Sequence, residues 1–220
     1  MLKDTMKIFT QLMVGVMMCV GLNATVLASS DPVKVIEQST KETIAIIQAS
    51  KATFKNNPSA YYQKLDRQLS KLINVDSFVR KVMGSHANTA GMDAAKKKAT
   101  NQRVDRFKRK FKTQLFSTYG TMLLGYSGQK YKVLPLSSAN KAEASAGKPV
   151  VVSQVFYVKS KQYKVDYKMI RSGSTWKVSN IRIVGADVTK ALRNQFNQAM
   201  KKHNNNVDRV IDTWKIGSQK

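Results

Sequence analysis

With 38 Lys and Arg against 13 Asp and Glu, the 220-residue chain carries a formal charge of +25, a field that favours nucleic acid, acidic lipid head groups or acidic protein surfaces as partners. Two histidines, His86 and His203, and one cysteine, Cys19, leave little from which to build a metal site or thiol chemistry. The length suits one domain that holds together by its core alone.

In chain order, Lys3 and Lys7 precede an apolar run from Ile8 to Val20, and Val26-Leu27-Ala28 has the small or apolar residues that a signal peptidase reads. We therefore expect a leader over residues 1–28 and a single domain over 29–220. The run contains Thr10, Gln11 and Gly15 and is shorter than the roughly 20 apolar residues of a spanning helix. Cys19 lies within it and lacks the small preceding residue that lipidation needs, so the mature chain is expected to be free of cysteine.

Asp31-Pro32 is a good cap and first-turn pair, and Val33, Ile36, Ile44, Ile47 and Phe54 then fit one helical stripe that stops at Asn56-Asn57-Pro58. A second helix buries Tyr61 or Tyr62, Leu65, Leu69 and Leu72 or Ile73. Asp76 is expected to cap a short amphipathic helix with Phe78, Val79, Val82 and Met83, ended by Gly84, and residues 85–92 read as a loop. From Asp93 to about Tyr126 the composition is helical, with a break expected near Thr100-Asn101 because a longer helix is unusual in a compact domain. Its second part sets Val104, Phe107, Phe111, Leu115, Tyr119, Met122, Leu123 and Tyr126 opposite Arg106, Lys108, Arg109, Lys110 and Lys112.

Strands are expected at Tyr131 to Leu136 and Val150 to Val158, with a polar loop from Ser137 to Lys148 between them. Tyr163 to Ile170 and Trp176 to Val184 flank Ser172-Gly173-Ser174 as an antiparallel hairpin. Tyr163, Val165, Tyr167 and Met169 share one face of the first hairpin strand, and Lys164, Asp166 and Lys168 share the other. Asp187 caps a helix carrying Val188, Leu192, Phe196 and Met200, and a short helix, Val207 to Trp214, follows. Helices, four strands and helices again point to an α+β fold, with helices on one face of a mainly antiparallel sheet.

Catalytic signatures are absent: there is no GxSxG, Walker or GxGxxG sequence and no close carboxylate pair. A hydrolase built in space on His86 or His203 stays open as one alternative. The densest basic run, Lys96-Lys97-Lys98 with Arg103 to Lys112, comes without a recognised nucleic-acid module, and its plain reading is a solvated helix face.

Val165-Asp166-Tyr167, Trp176-Lys177-Val178, Ile183-Val184-Gly185-Ala186-Asp187 and Leu192-Arg193-Asn194-Gln195-Phe196 together resemble the carboxy-terminal half of the MlaC family, the toluene-tolerance auxiliary proteins. In the amino-terminal half, Asp76 to Gly84 resembles the family's Arg-x-x-Leu-Gly helix end, and Phe107, Phe111, Leu115, Tyr119 and Leu123 match its F-x3-F-x3-L-x3-Y spacing. Asn180 and Gly185-Ala186-Asp187 depart from the family's usual Asp and Gly-Val-Ser, which leaves head-group preference and partner docking open. The resemblance implies a twisted sheet of about four strands, wrapped by helices around an apolar cavity for phospholipid acyl chains.

It implies further that the protein is a periplasmic phospholipid carrier and no enzyme, with a glycerophospholipid as cargo and neither cofactor nor metal. The implied partners are an outer-membrane lipoprotein complex and an inner-membrane ABC transporter with its substrate-binding ring, with transient membrane-surface contact and no nucleic acid. The lining expected on this basis is Phe78, Val82, Phe111, Leu115, Tyr119, Val165, Tyr167, Met169 and Ile183, with Arg80 and Arg193 at the mouth. The rival reading is a basic periplasmic adaptor with a filled core that binds anionic surfaces and carries nothing.

Overall fold

The computed structural model describes residues 31–217; the expected leader over 1–28 lies outside the described residues. Helix α1 (Pro32–Ser50) starts where Asp31 accepts a 2.8 Å hydrogen bond from the Val33 amide, and α2 (Pro58–Leu72) starts where Asn57 accepts one from Ala60. Each cap satisfies an amide that the first helical turn leaves without a partner. Helix α1 ends seven residues before Asn57, and the intervening turns place Phe54 edge-on to Tyr61, with ring centroids 5.5 Å apart.

Helix α3 (Val75–Met83) is capped by Asn74 rather than Asp76. Asp76 sits in its first turn and pairs with Arg80 four residues on, at 2.8 Å. Gly84 ends the helix with φ +61°, a conformation that glycine adopts without a Cβ penalty. The expected loop begins instead with a 3₁₀ turn, Gly84–Ala87.

Helix α4 (Ala94–Leu115) runs unbroken through Thr100 and Asn101. No Gly or Pro interrupts residues 92–119, so nothing removes a hydrogen bond at the expected break. The irregularity comes later, as a π turn at Phe116–Gly120, followed by a last helical turn at Thr121–Leu123. There Tyr61 donates its hydroxyl to the Gly120 carbonyl at 2.8 Å. A Cβ on Gly120 would lie 3.0 Å from the Tyr62 ring, so a larger residue there would press on that ring.

The sheet has the order β1-β2-β3-β4-β5, antiparallel throughout, with β1 (Lys130–Val133), β2 (Val150–Val158), β3 (Lys161–Ser172), β4 (Thr175–Ile183) and β5 (Ala186–Asp187). Four strands match the expectation, and the two-residue β5 is an addition, turned back on β4 by Val184 and Gly185, both at positive φ. Between β1 and β2 the polar segment forms α5 (Ser138–Ser145), capped by Ser137, where a loop was expected; its alanines favour a helix once the cap is in place. Helix α6 (Val188–Lys202) is capped by Asp187, and α7 (Val207–Thr213) by Asn206.

A bulge in β4 decides which side chains face inward. Tyr167 pairs with Ile181 and Lys168 with Asn180, but Met169 pairs with Val178, so Ser179 is the extra residue. Its hydroxyl donates to the Lys168 carbonyl, and its own carbonyl accepts from Lys81 Nζ. The shift brings Trp176 and Val178 to the same face as Ile181 and Ile183, although strict alternation would separate them.

The buried apolar side chains form four clusters. One joins α3, α4, α6 and α7 around Phe107, Phe196 and Trp214; a second joins α1 and α2 with Phe116 and Tyr126. A third packs Ile36 against Val150, Val152, Met169, Trp176 and Val178, and a fourth holds Phe156, Val165 and Ile183. Among the described residues, no helix is long and apolar enough to cross a membrane.

Candidate functional site

The four clusters do not close on one another. Between them lies a cavity of about 310 Å³, walled by residues of α1, α2, α3, α4 with the π turn that follows it, and α6, and by residues of β2 to β5. Leu69, Leu72, Leu115, Leu123, Ile181 and Leu192 all line it, and each remains partly accessible although it points inward. Partly wetted leucines aimed at an interior show that the protein's own side chains do not fill it, whereas ordinary cores pack to crystal-like density. The volume is within the range of small-molecule sites.

One polar chain of hydrogen bonds crosses the wall. Tyr167 donates its hydroxyl to Gln154 Oε1 at 2.9 Å, and Gln154 Nε2 donates to Thr40 Oγ1 at 3.2 Å. Gln154 is fully buried, so these partners satisfy groups that would otherwise be costly in an apolar wall. Burial pushes the Tyr167 and Tyr119 phenols above their usual range, so both are neutral hydroxyls at physiological pH. Asp66 and Lys112 form an ion pair in the same wall, with Nζ 2.7 Å from Oδ1 and 2.8 Å from Oδ2.

Of the residues singled out from the sequence, Phe78, Phe111, Leu115, Tyr119, Val165, Tyr167 and Ile183 line the cavity. Val82 and Met169 are outside its lining. Val82 is packed among the α3, α4 and α6 side chains, and Met169 lies below the bulge, against Ile36 and Trp176. Arg80 and Arg193 are not at the cavity either; they border a separate polar cleft between α3 and α6. Arg80 is held by Asp76, the Ala87 carbonyl and Asn101. Arg193 donates from Nε to the Lys81 carbonyl at 2.7 Å, with its guanidinium beside Gly84. Both arginines tie helix ends together.

Sequence reasoning missed Lys112, Gln154 and the part played by α1, which contributes Ser39, Thr40 and Thr43. A signal for Lys112 was present: it stands on one helical face with Phe116, Tyr119 and Leu123, at spacings of four, seven and eleven. The histidines lie away from the cavity. The His86 ring packs 5.9 Å from that of Phe196, and His203 Nε2 lies 3.2 Å from the Thr213 hydroxyl, which donates to the Arg209 carbonyl. Among the described residues no group of His, Cys, Asp and Glu is placed to hold a metal ion.

Comparison with known proteins gives this arrangement a context. The toluene tolerance protein ttg2D of Pseudomonas putida is 30% identical over 187 residues, which make up 85% of this chain and 81% of that protein. The phospholipid-binding protein of Ralstonia solanacearum, solved in complex with a phospholipid, shares the fold, with a TM-score of 0.67 at 20% identity over 83% of this chain and 93% of that one. The family model described as MlaC protein matches residues 37–216. With a match of that extent and a relative at that identity, the chain belongs to the MlaC family.

Proposed function

We propose that this protein is a periplasmic phospholipid carrier that holds one glycerophospholipid, tails in the cavity and head group outward, and performs no reaction on it. The observation that carries this reading is the unfilled apolar cavity with partly wetted leucines on several of its walls. The phospholipid held by the Ralstonia solanacearum protein supports it, since that protein has the same fold.

The energetics explain why a carrier is needed. Burying a methylene is worth about 0.8 kcal/mol, so two chains of roughly 15 methylenes represent on the order of 24 kcal/mol gross. A lipid does not leave a bilayer for water against such a difference. A protein cavity of comparable character makes transfer nearly balanced, and direction is then set by the relative affinities of donor and acceptor. The donor and acceptor in this proposal are an outer-membrane lipoprotein complex and an inner-membrane ABC transporter with its substrate-binding ring. The net charge of +25 suits docking to acidic surfaces on these or to acidic head groups, an attraction that weakens with salt.

A basic adaptor with a filled core explains the charge equally well, but it gives no reason for the cavity. Native mass spectrometry of the purified mature chain tests the carrier reading, followed by denaturation and identification of what is released. A discrete mass increment that resolves to a phospholipid is expected. A protein that is empty and also fails to extract labelled lipid from vesicles would refute it.

A further inference from the structure

An amphipathic cargo needs an apolar wall for its tails and, for its head group, one place where that wall carries charge and reaches solvent. Three charged side chains line the cavity: Asp66, Lys112 and Asp187. Asp187 is already engaged, capping α6 at the Lys190 amide and accepting from Asn180 Nδ2 at 2.7 Å. Asp66 and Lys112 remain, one from α2 and one from α4, and Lys112 is the only cation of the lining among the described residues.

Their side chains are 36% and 29% exposed, so each keeps surface that a ligand can reach. Partly exposed ion pairs contribute little to stability, so this one can open and re-form around a ligand with small loss to the fold. Alone it is a self-satisfied pair of opposite charges. The one chemistry that replaces it without leaving either charge stranded is a zwitterion that carries its own phosphate and ammonium.

We infer that Lys112 and Asp66 stand at the mouth of the cavity and form the head-group seat, Lys112 Nζ taking the phosphodiester and Asp66 taking a head-group ammonium. The preferred cargo is then a glycerophospholipid with an amine-bearing head group such as ethanolamine. This rests on the carrier reading above and adds the head-group class to it. A purely anionic head group engages Lys112 but sets a second negative charge beside Asp66, which disfavours it.

The test is to purify wild type, Asp66→Asn, Lys112→Gln and a surface control, Lys97→Gln, from the same cells, and to identify the bound lipids by mass spectrometry against the whole-cell extract. Melting curves identify any variant that fails to fold. Wild type and K97Q are expected to be enriched in the ethanolamine class. D66N should lose that enrichment and take up anionic glycerol head groups, with a change in the ratio on the order of tenfold. K112Q should release lipid to acceptor vesicles several-fold faster. Millimolar inorganic phosphate or glycerophosphoethanolamine should not displace the lipid, which separates a seat for a tethered head group from a free-phosphate site; displacement by either would overturn the assignment. Lipid carried with the same head-group profile by all four proteins would overturn it while leaving the carrier reading intact. An empty wild type would remove the carrier reading and this inference together.

Discussion

Helix α4 passes through two kinds of interior. Around Phe107 the side chains interlock: the Phe107 ring lies 5.2 Å from both Phe196 and Trp214, which lie 5.7 Å from each other, all at most 3% exposed. Two turns further on, Leu115 and Tyr119 occupy the same spacing on the same side of the helix, yet face the cavity. The difference lies in what stands opposite. Helices α6 and α7 bring two large aromatic rings to the first region, whereas the second faces Val165, Tyr167 and Ile183 on a sheet held away from the helix. An apolar stripe therefore specifies which way a helix faces and leaves open whether the space in front of it is filled.

Substitutions on either side of that divide should separate sharply. Phe107→Ala removes a fully buried ring from the filled region and is expected to cost about 3–5 kcal/mol in urea unfolding. Leu115→Ala, whose side chain already borders empty space, should cost under about 2 kcal/mol while lowering bound lipid. Equal losses would mean that the cavity is no softer than the core. Tyr167→Phe strands the Gln154 acceptor inside the wall and should cost about 1–3 kcal/mol, measured in the same way. Ala191→Trp points a large ring into the cavity and is expected to change stability by under about 1 kcal/mol and to empty the protein of lipid. A comparable enlargement in the filled region, Val104→Trp, should cost about 1–3 kcal/mol or more.

The smallest effect expected is a difference in pH response. In the filled region hydrogen bonds from Arg103 hold the Asp208 carboxyl below its usual range, and hydrogen bonds from Arg80, with help from Lys108, do the same for Asp76. Their stabilising contribution is complete above the ordinary carboxylate value of about 3.9 and is lost as pH falls below it. In the cavity region burial raises the Tyr167 and Tyr119 phenols. Their contribution is complete below the ordinary phenol value of about 10 and is lost as pH rises past it, because the unfolded chain gives up those protons first. Melting temperatures across pH should therefore fall at both ends, Asp208→Asn flattening the acid limb and Tyr167→Phe the alkaline one. A single limb moved by both variants would contradict the division.

What the sequence determined by itself is local. Asp31, Asn57 and Asp187 announce helix starts, Gly84 a helix end, and the alternation from Tyr163 to Ile170 a half-buried strand, because each depends on hydrogen bonds or side-chain spacing within a few residues. The α+β class was legible in the order of those elements and the family in a resemblance spread along the chain, and a part of the cavity wall was legible too, through Phe78, Phe111, Leu115, Tyr119, Val165, Tyr167 and Ile183. Arg80 and Arg193 were misplaced because a cation's partners are chosen by which helix ends meet it. Met169 fell outside the lining because Ile36, Trp176 and Val178, from other elements, cover it. Lys112 was read as a solvated residue because its partner, Asp66, is 46 residues away. Those placements, and the empty volume itself, were decided by the tertiary structure: a cavity is a distance between surfaces, and no residue encodes its separation from residues that the chain has yet to bring opposite.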